Sequence, residues 1–245
     1  MKRYYSFILF AAFALLTVVS IAFTHKHPNE TDIISYTVDP KIQDLRFYWK
    51  DDNGHILGSI QHLKNYLDNK QQKLVFATNG GMFKPDNSPV GLFIQQNVIL
   101  NPLDTTTGNG NFYLKPNGVL YITDENKAVI CQTSNFANNK HIKFATQSGP
   151  MLLIDGSIHP ALKKGSANVN VRNGVGILAD NKLVFAMSTR ETNFYDFAEY
   201  FKSLGCVNAL YLDGFVSRTY LPEKEWMQTD GSFGVIIGVT IPKKK

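Results

Sequence analysis

Apolar and polar positions alternate along this chain in short runs, and the runs predict many strands and two helices. Residues 33–38 and 45–49 read as strands. In 59–67, Ile60, Leu63 and Leu67 recur at helical spacing, and this helix feeds a buried strand over 74–78. That strand stops at Asn79-Gly80-Gly81, where two glycines permit a tight turn and close approach to a ligand. Residues 90–95 and 98–100 predict a hairpin about Gln96-Asn97. Residues 112–114 and 119–122 are expected to pair across Pro116-Asn117-Gly118. The run 144–154 is a strand broken at Ser148-Gly149-Pro150, because proline cannot donate to a ladder. Residues 168–177 and 183–188 follow as strands.

The clearest helix covers 193–204. Asn193 suits the N-cap and Asp196 the first turn, where the helix dipole favours a carboxylate. Phe194, Phe197, Ala198, Phe201 and Leu204 form its apolar stripe, and Gly205 suits the residue just past its end. It leads into a buried strand at 209–212. Strand, helix, strand in this order predicts two parallel strands joined by a right-handed crossover. Thr189-Arg190-Glu191 and Asp213-Gly214 then open on one rim of the sheet, with Asn79-Gly80-Gly81 placed as a third strand end beside them. The expected class is α+β: a single mixed, largely β domain with a few packed helices and one β-α-β unit.

Composition narrows the picture. The chain has 245 residues, 44% hydrophobic and 18% charged, which is globular rather than disordered. Its net charge of +5 leans on Lys2, Arg3 and the Lys243-Lys244-Lys245 tail, so the body is near neutral. No stripe of interleaved basic and aromatic residues suggests nucleic acid. Lys2-Arg3 followed by the apolar run 7–23 reads as an export signal with a small-x-small site at Ser20-Ile21-Ala22, or as an uncleaved anchor. The expected division is leader 1–24, linker 25–35 and domain 36–245, with membrane contact only through an uncleaved leader. Export would permit a disulfide between Cys131 and Cys206, but their settings read rather as two small buried hydrophobes. No C-x-x-C or His-rich spacing points to a metal, and no cofactor is expected.

The candidate chemistry centres on 208–222. Asp213 ends a buried strand and precedes Gly214, and Ser217 and Arg218 follow, so one loop offers an acid, a hydroxyl and a cation. A carboxylate so placed must be hydrated, paired or used. Arg172 lies among apolar strand residues, where a guanidinium needs an anionic partner unless it faces outward from an edge strand. Asp155-Gly156 reads as a turn, and His159 as an exposed, solvated histidine.

Six segments in order resemble the phosphodiester glycosidase family: Asn79-Gly80-Gly81-Met82-Phe83, Gly110-Asn111-Phe112, Gln147-Ser148-Gly149-Pro150, Val171-Arg172-Asn173-Gly174, the helix 194–201, and the stretch 208–217. The resemblance covers about 140 residues, from about Leu74 onward. It implies cleavage of a sugar from a glycosyl-1-phosphodiester such as a GlcNAc phosphodiester, in a family with bacterial members linked to exopolysaccharide. It also implies that Asn79, Arg172 and Asp213 line the active site. Gly80, Gly81, Asp104, Ser148, Gly149, Asn173, Glu191, Gly214 and Ser217 are the expected surroundings of the substrate. One departure stands out. The family's typical enzyme follows the Asp-Gly with two more glycines, where this chain has Phe215 and Val216. The chemistry fits on its own terms: a carboxylate serves the positive charge that develops on the sugar, and an arginine serves the phosphate. Asp104 and Glu191 compete as a second carboxylate, while Glu199 reads as solvated. The alternative is a non-catalytic carbohydrate-binding or envelope-assembly protein.

Overall fold

The computed structural model describes residues 32–243; the leader lies outside the described residues. Three large sheets enclose the main core, and a two-stranded ribbon pairs Val169–Asn170 with Thr192–Asn193. The first large sheet has six strands in the order Ile33–Val38, Leu183–Ser188, Asn173–Ile177, Asn208–Asp213, Met151–Ile154 and Ser157–Ile158. The second has five: Trp226–Met227, Thr219–Leu221, Gln72–Asn79, Ile236–Pro242 and Asp44–Tyr48. The third also has five: Val98–Asn101, Phe93–Gln95, Ile142–Ser148, Gly118–Thr123 and Ala128–Gln132. Their inner faces pool Phe47, Phe76, Phe144, Phe185, Leu210, Leu212 and Ile237 into one buried cluster. The fold is therefore largely β, as its alternating patterns predict. Among the described residues, no helix is long and apolar enough to cross a membrane.

Two helices lie outside the sheets. Helix α1 spans Ile60–Asn69; Ser59 Oγ accepts the His62 N–H, and Ile60, Leu63 and Leu67 pack with Leu74, Ala77 and Ile236 of the second sheet. Helix α2 spans Phe194–Ser203, with Asn193 as its cap and Phe194, Phe197, Ala198 and Phe201 packed against Leu152, Ala186, Ala209 and Tyr211 of the first sheet. Leu204 departs from the expected stripe. It is the C-cap, past the last helical residue, and it is exposed.

The β-α-β unit has a refinement. Leu183–Ser188 and Asn208–Asp213 each pair antiparallel with Asn173–Ile177, which lies between them, so the two outer strands run parallel without touching. Asn173 is opposite both Met187 and Asp213, so the carboxyl ends of both strands reach the same edge. The strand ending at Asn79 does not extend this sheet. It sits in the second sheet between Thr219–Leu221 and Ile236–Pro242.

Three further expectations change. Residues 111–113 form a 3-10 turn, and Gly118–Thr123 pairs instead with Ala128–Gln132 and Ile142–Ser148. Local bonds win there: Tyr113 N donates to Gly110 O, and the Asn117 side chain donates to Phe112 O at 3.0 Å. Residues 33–35, expected in the linker, lie in the strand Ile33–Val38, which pairs along its whole length with Leu183–Ser188. His159 is buried rather than exposed, and its N–H bonds to Leu152 O. The break at Ser148-Gly149-Pro150 is where the chain leaves the third sheet for the first. Cys131 and Cys206 are free thiols, each pushed up to about 11 by burial.

Candidate active site

The ends of all three sheets meet at Asp213. Asn173 makes the central connection. Its Oδ1 accepts the Asp213 backbone N–H at 2.7 Å, and its Nδ2 donates to Asn79 O at 2.8 Å, with Asn79 Oδ1 and Thr78 Oγ1 each at 3.1 Å. Asn79 Oδ1 in turn accepts the Arg218 backbone N–H at 3.0 Å. The third sheet joins through Ser148, whose hydroxyl donates to Leu212 O at 2.7 Å. A side chain on Gly81 would fall 2.7 Å from Thr146 Oγ1, so only glycine lets that loop lie against the third sheet. Asn79, Ser148 and Asn173 are fully enclosed. Buried polar groups of this kind are costly unless bonded, and here Asn79 and Asn173 bond each other while Ser148 bonds a main-chain carbonyl. Asn79 Nδ2 is the exception: it has no partner among the described residues.

Asp213 sits at the partly open end of its strand. Gly214 N–H donates to its Oδ1 at 2.7 Å. Burial raises its pKa to about 6, against the smaller opposing effect of that bond. The next turn is closed by Ser217 N–H donating to Gly214 O at 2.7 Å. Gly214 is required by its neighbour rather than by its own torsion, since a Cβ there would land on the Tyr211 hydroxyl. Sequence reading missed Tyr211. It lay inside an apolar run, and only the packing turns its hydroxyl toward the site loop.

Arg172 is fully buried, not on an outward face. Its partners are neutral: Nε donates to Thr192 O at 2.7 Å, Nη2 to Asn168 O at 2.7 Å and Oδ1 at 3.1 Å, and Nη1 to the Tyr211 hydroxyl at 3.3 Å. The guanidinium also stacks 3.6 Å from the Phe194 ring centre. Burial lowers its pKa and the Tyr211 interaction opposes that. The expected facing anion is thus replaced by carbonyl and amide oxygens, a hydroxyl and aromatic faces. Tyr211 itself is pushed above the ordinary tyrosine range by burial, so it stays protonated.

The other candidates divide. Asp104 is held by Thr106 at 2.6 Å and Tyr113 at 3.2 Å, and its loop is pinned by Gln147, whose Oε1 accepts Asp104 N–H and whose Nε2 donates to Asp104 O. Burial works to raise its pKa, but these hydrogen bonds outweigh it and the net shift is downward. Glu191 is exposed in a separate cleft of about 240 Å³, lined also by Asp32, Arg190 and Asp196. Arg190 pairs there with Asp32. No hydrogen bond among the described residues joins Asp104 or Glu191 to the Asp213 network. Arg218 gains importance: its Nε bonds both oxygens of Asp230 and its Nη1 bonds Ser217 O, on the same loop as Asp213. No group of three or more His, Cys, Asp or Glu suited to a metal occurs among the described residues.

The sequence profile of the phosphodiester glycosidases matches residues 72–236, a span that holds every residue of this network. The chain belongs to the phosphodiester glycosidase family. A curated relative is YigE of Escherichia coli K12, an uncharacterised protein, 36% identical over 217 residues, covering 87% of this chain and 84% of YigE. Two solved structures share the fold. The catalytic domain of zebrafish N-acetylglucosamine-1-phosphodiester alpha-N-acetylglucosaminidase, auto-inhibited by its pro-peptide, superposes with a TM-score of 0.52 at 15% identity, over 87% of this chain and 85% of that one. A candidate exported protein of Burkholderia pseudomallei superposes with a TM-score of 0.55 at 12% identity, over 84% of this chain and 73% of that one. In this member of the family, the matched span begins with the strand that carries Asn79 and ends beyond the Asp213 loop.

Proposed function

We propose that this protein is an exported hydrolase that cleaves a sugar from a glycosyl-1-phosphodiester. The observation that carries the reading is Asp213: a carboxylate with a pKa of about 6 at a strand end, fastened by the buried Asn173–Asn79 pair. Above pH 6 it is ionised, yet more basic than an ordinary aspartate. That suits it to stabilise or attack a cationic anomeric carbon, or to take a proton from water. In the reaction, water adds to the anomeric carbon, the bond from that carbon to the phosphate oxygen breaks, and a phosphomonoester leaves. Phosphate is a good leaving group, so Asp213 acts without a strong partner acid.

Arg172 serves in this reading as a buried positive charge that holds the Tyr211 hydroxyl beneath Gly214. It is a positioning residue. In this reading Arg218, partly exposed on the same loop and paired with Asp230, is the cation that meets the phosphate. Asn79, fully enclosed, serves to hold Asn173 and the Arg218 backbone in place. The family's activity, the resemblance to a glycosyl-phosphodiester hydrolase in fold and the basic-apolar leader support the reading. The test incubates purified protein with UDP-GlcNAc and related glycosyl phosphodiesters, and detects released phosphomonoester and free sugar. Product from wild type and none from Asp213→Asn is expected. Saturable sugar binding with no product from either would mark a binding protein instead. Export is tested by fusing residues 1–27 to a reporter active only outside the cytoplasm.

A further inference from the structure

Phe215 is the most conspicuous side chain left unused by this site. It is 87% exposed, two residues after Asp213. A single exposed phenylalanine is ordinary on a protein surface. What sets this one apart is how firmly its backbone is held. Ser217 N–H to Gly214 O closes a four-residue turn and makes Phe215 and Val216 its two corner residues. Asp213 Oδ1 holds the turn's first N–H, and Asn79 Oδ1 holds the N–H of Arg218 just after it. Val216 is partly buried on the cluster beneath α1, alongside Phe83 from the Asn79 loop. With one corner residue anchored inward, the other is directed to solvent. Successive Cα atoms are about 3.8 Å apart, so the Phe215 and Asp213 Cα atoms lie within about 7.6 Å of each other.

We propose that Phe215 is a specificity-determining residue: its ring is the stacking platform for the pyranose whose anomeric carbon faces Asp213. The ligand's identity rests on the hydrolase reading above. A pyranose presents a face of C–H groups, whose weakly positive hydrogens meet the negative face of an aromatic ring. As the sugar gains positive charge in the transition state, attraction to that face strengthens. Loss of the ring therefore lowers kcat as well as raising KM. Phenylalanine has few rotatable bonds, so ordering it on a sugar costs little entropy.

The test compares Phe215→Ala, Phe215→Leu and Phe215→Trp with wild type in the full chain. Hydrolysis is followed on a glycosyl phosphodiester and on the neutral aryl glycoside of the same sugar. Affinity is measured calorimetrically with the non-hydrolysable C-glycosyl phosphonate of that sugar. The Ala and Leu variants are expected to lose roughly 5- to 10-fold in kcat/KM on both substrates and a similar factor in phosphonate affinity. Phe215→Trp should restore both, and its indole fluorescence should change on binding. Leucine performing as well as phenylalanine in both measurements overturns the stacking role while leaving the hydrolase reading intact. Conversely, phosphonate affinity that falls in the Leu variant of a protein with no turnover upholds the platform and rejects the hydrolase. Absence of phosphonate binding by wild type overturns the platform.

Discussion

Asn173 Oδ1 accepts the backbone N–H of Asp213 at 2.7 Å, while Nδ2 of the same Asn173 side chain donates to Asn79 in a different sheet. The carboxylate's place in space thus depends on a side chain that is itself clamped between two sheets. Asparagine suits this position because it offers an acceptor to one strand and donors to the other.

Asn173→Ala is expected to leave the Asp213 N–H and the Asn79 carbonyl without their buried partner. Stability should fall by about 2–3 kcal/mol, read from urea unfolding. The kcat for phosphodiester cleavage should fall more than KM rises, because the carboxylate is displaced and the sugar contacts are not. Unchanged kcat would show that the clamp does not set Asp213's position.

Asp213→Asn should stabilise the protein at neutral pH while abolishing turnover. The folded-state pKa of about 6 lies above the ordinary value of 3.8, so the protonated form favours the fold. Below pH 3.8 the contribution is complete, and it is lost as pH rises through 6. At pH 7 the wild type carries a penalty of at most about 3 kcal/mol that asparagine lacks. Urea midpoints of the two proteins should therefore converge below pH 4 and separate between pH 4 and 7. A constant gap across that range would contradict the raised pKa.

The same ionisation should govern catalysis. If Asp213 acts as the carboxylate, kcat/KM rises with pH and levels off above about pH 6, with one acid limb assigned to it. An acid limb below pH 4.5 in the free enzyme would mean that the reacting carboxylate is elsewhere.

Arg172→Lys keeps the charge and loses the contacts to Thr192, Asn168 and the Phe194 face. It should destabilise the fold by about 2–4 kcal/mol and slow phosphodiesters and neutral aryl glycosides by the same factor. Arg218→Gln should instead slow phosphodiesters by about 10-fold or more, with little effect on the neutral glycosides. Steady-state kinetics on both substrates with both variants separate the roles. The reverse pattern would make Arg172 the phosphate ligand.

Much of this protein was already written in its residue order. The helix under Phe194 and Phe201, its Asn193 cap and the Gln96-Asn97 hairpin follow from local periodicity and turn chemistry, which act between residues a few positions apart. Asp213 at a strand end beside Gly214 was legible for the same reason. Tertiary structure decided which strand ends meet. The strand ending at Asn79 reads like an extension of the first sheet, yet it lies in the second and reaches the Asp213 loop through Asn173, 94 residues away in the chain, and through the Arg218 backbone N–H. Arg172 reads as a residue awaiting an anion, but folding surrounds it with the Thr192 carbonyl, Asn168 and two aromatic rings. Tyr211 reads as core, and packing sets its hydroxyl beneath Gly214. Periodicity reports which face of a strand is buried, and that is a local property. Which other strand that face or end will meet depends on how three sheets close around one core, and no local pattern encodes it.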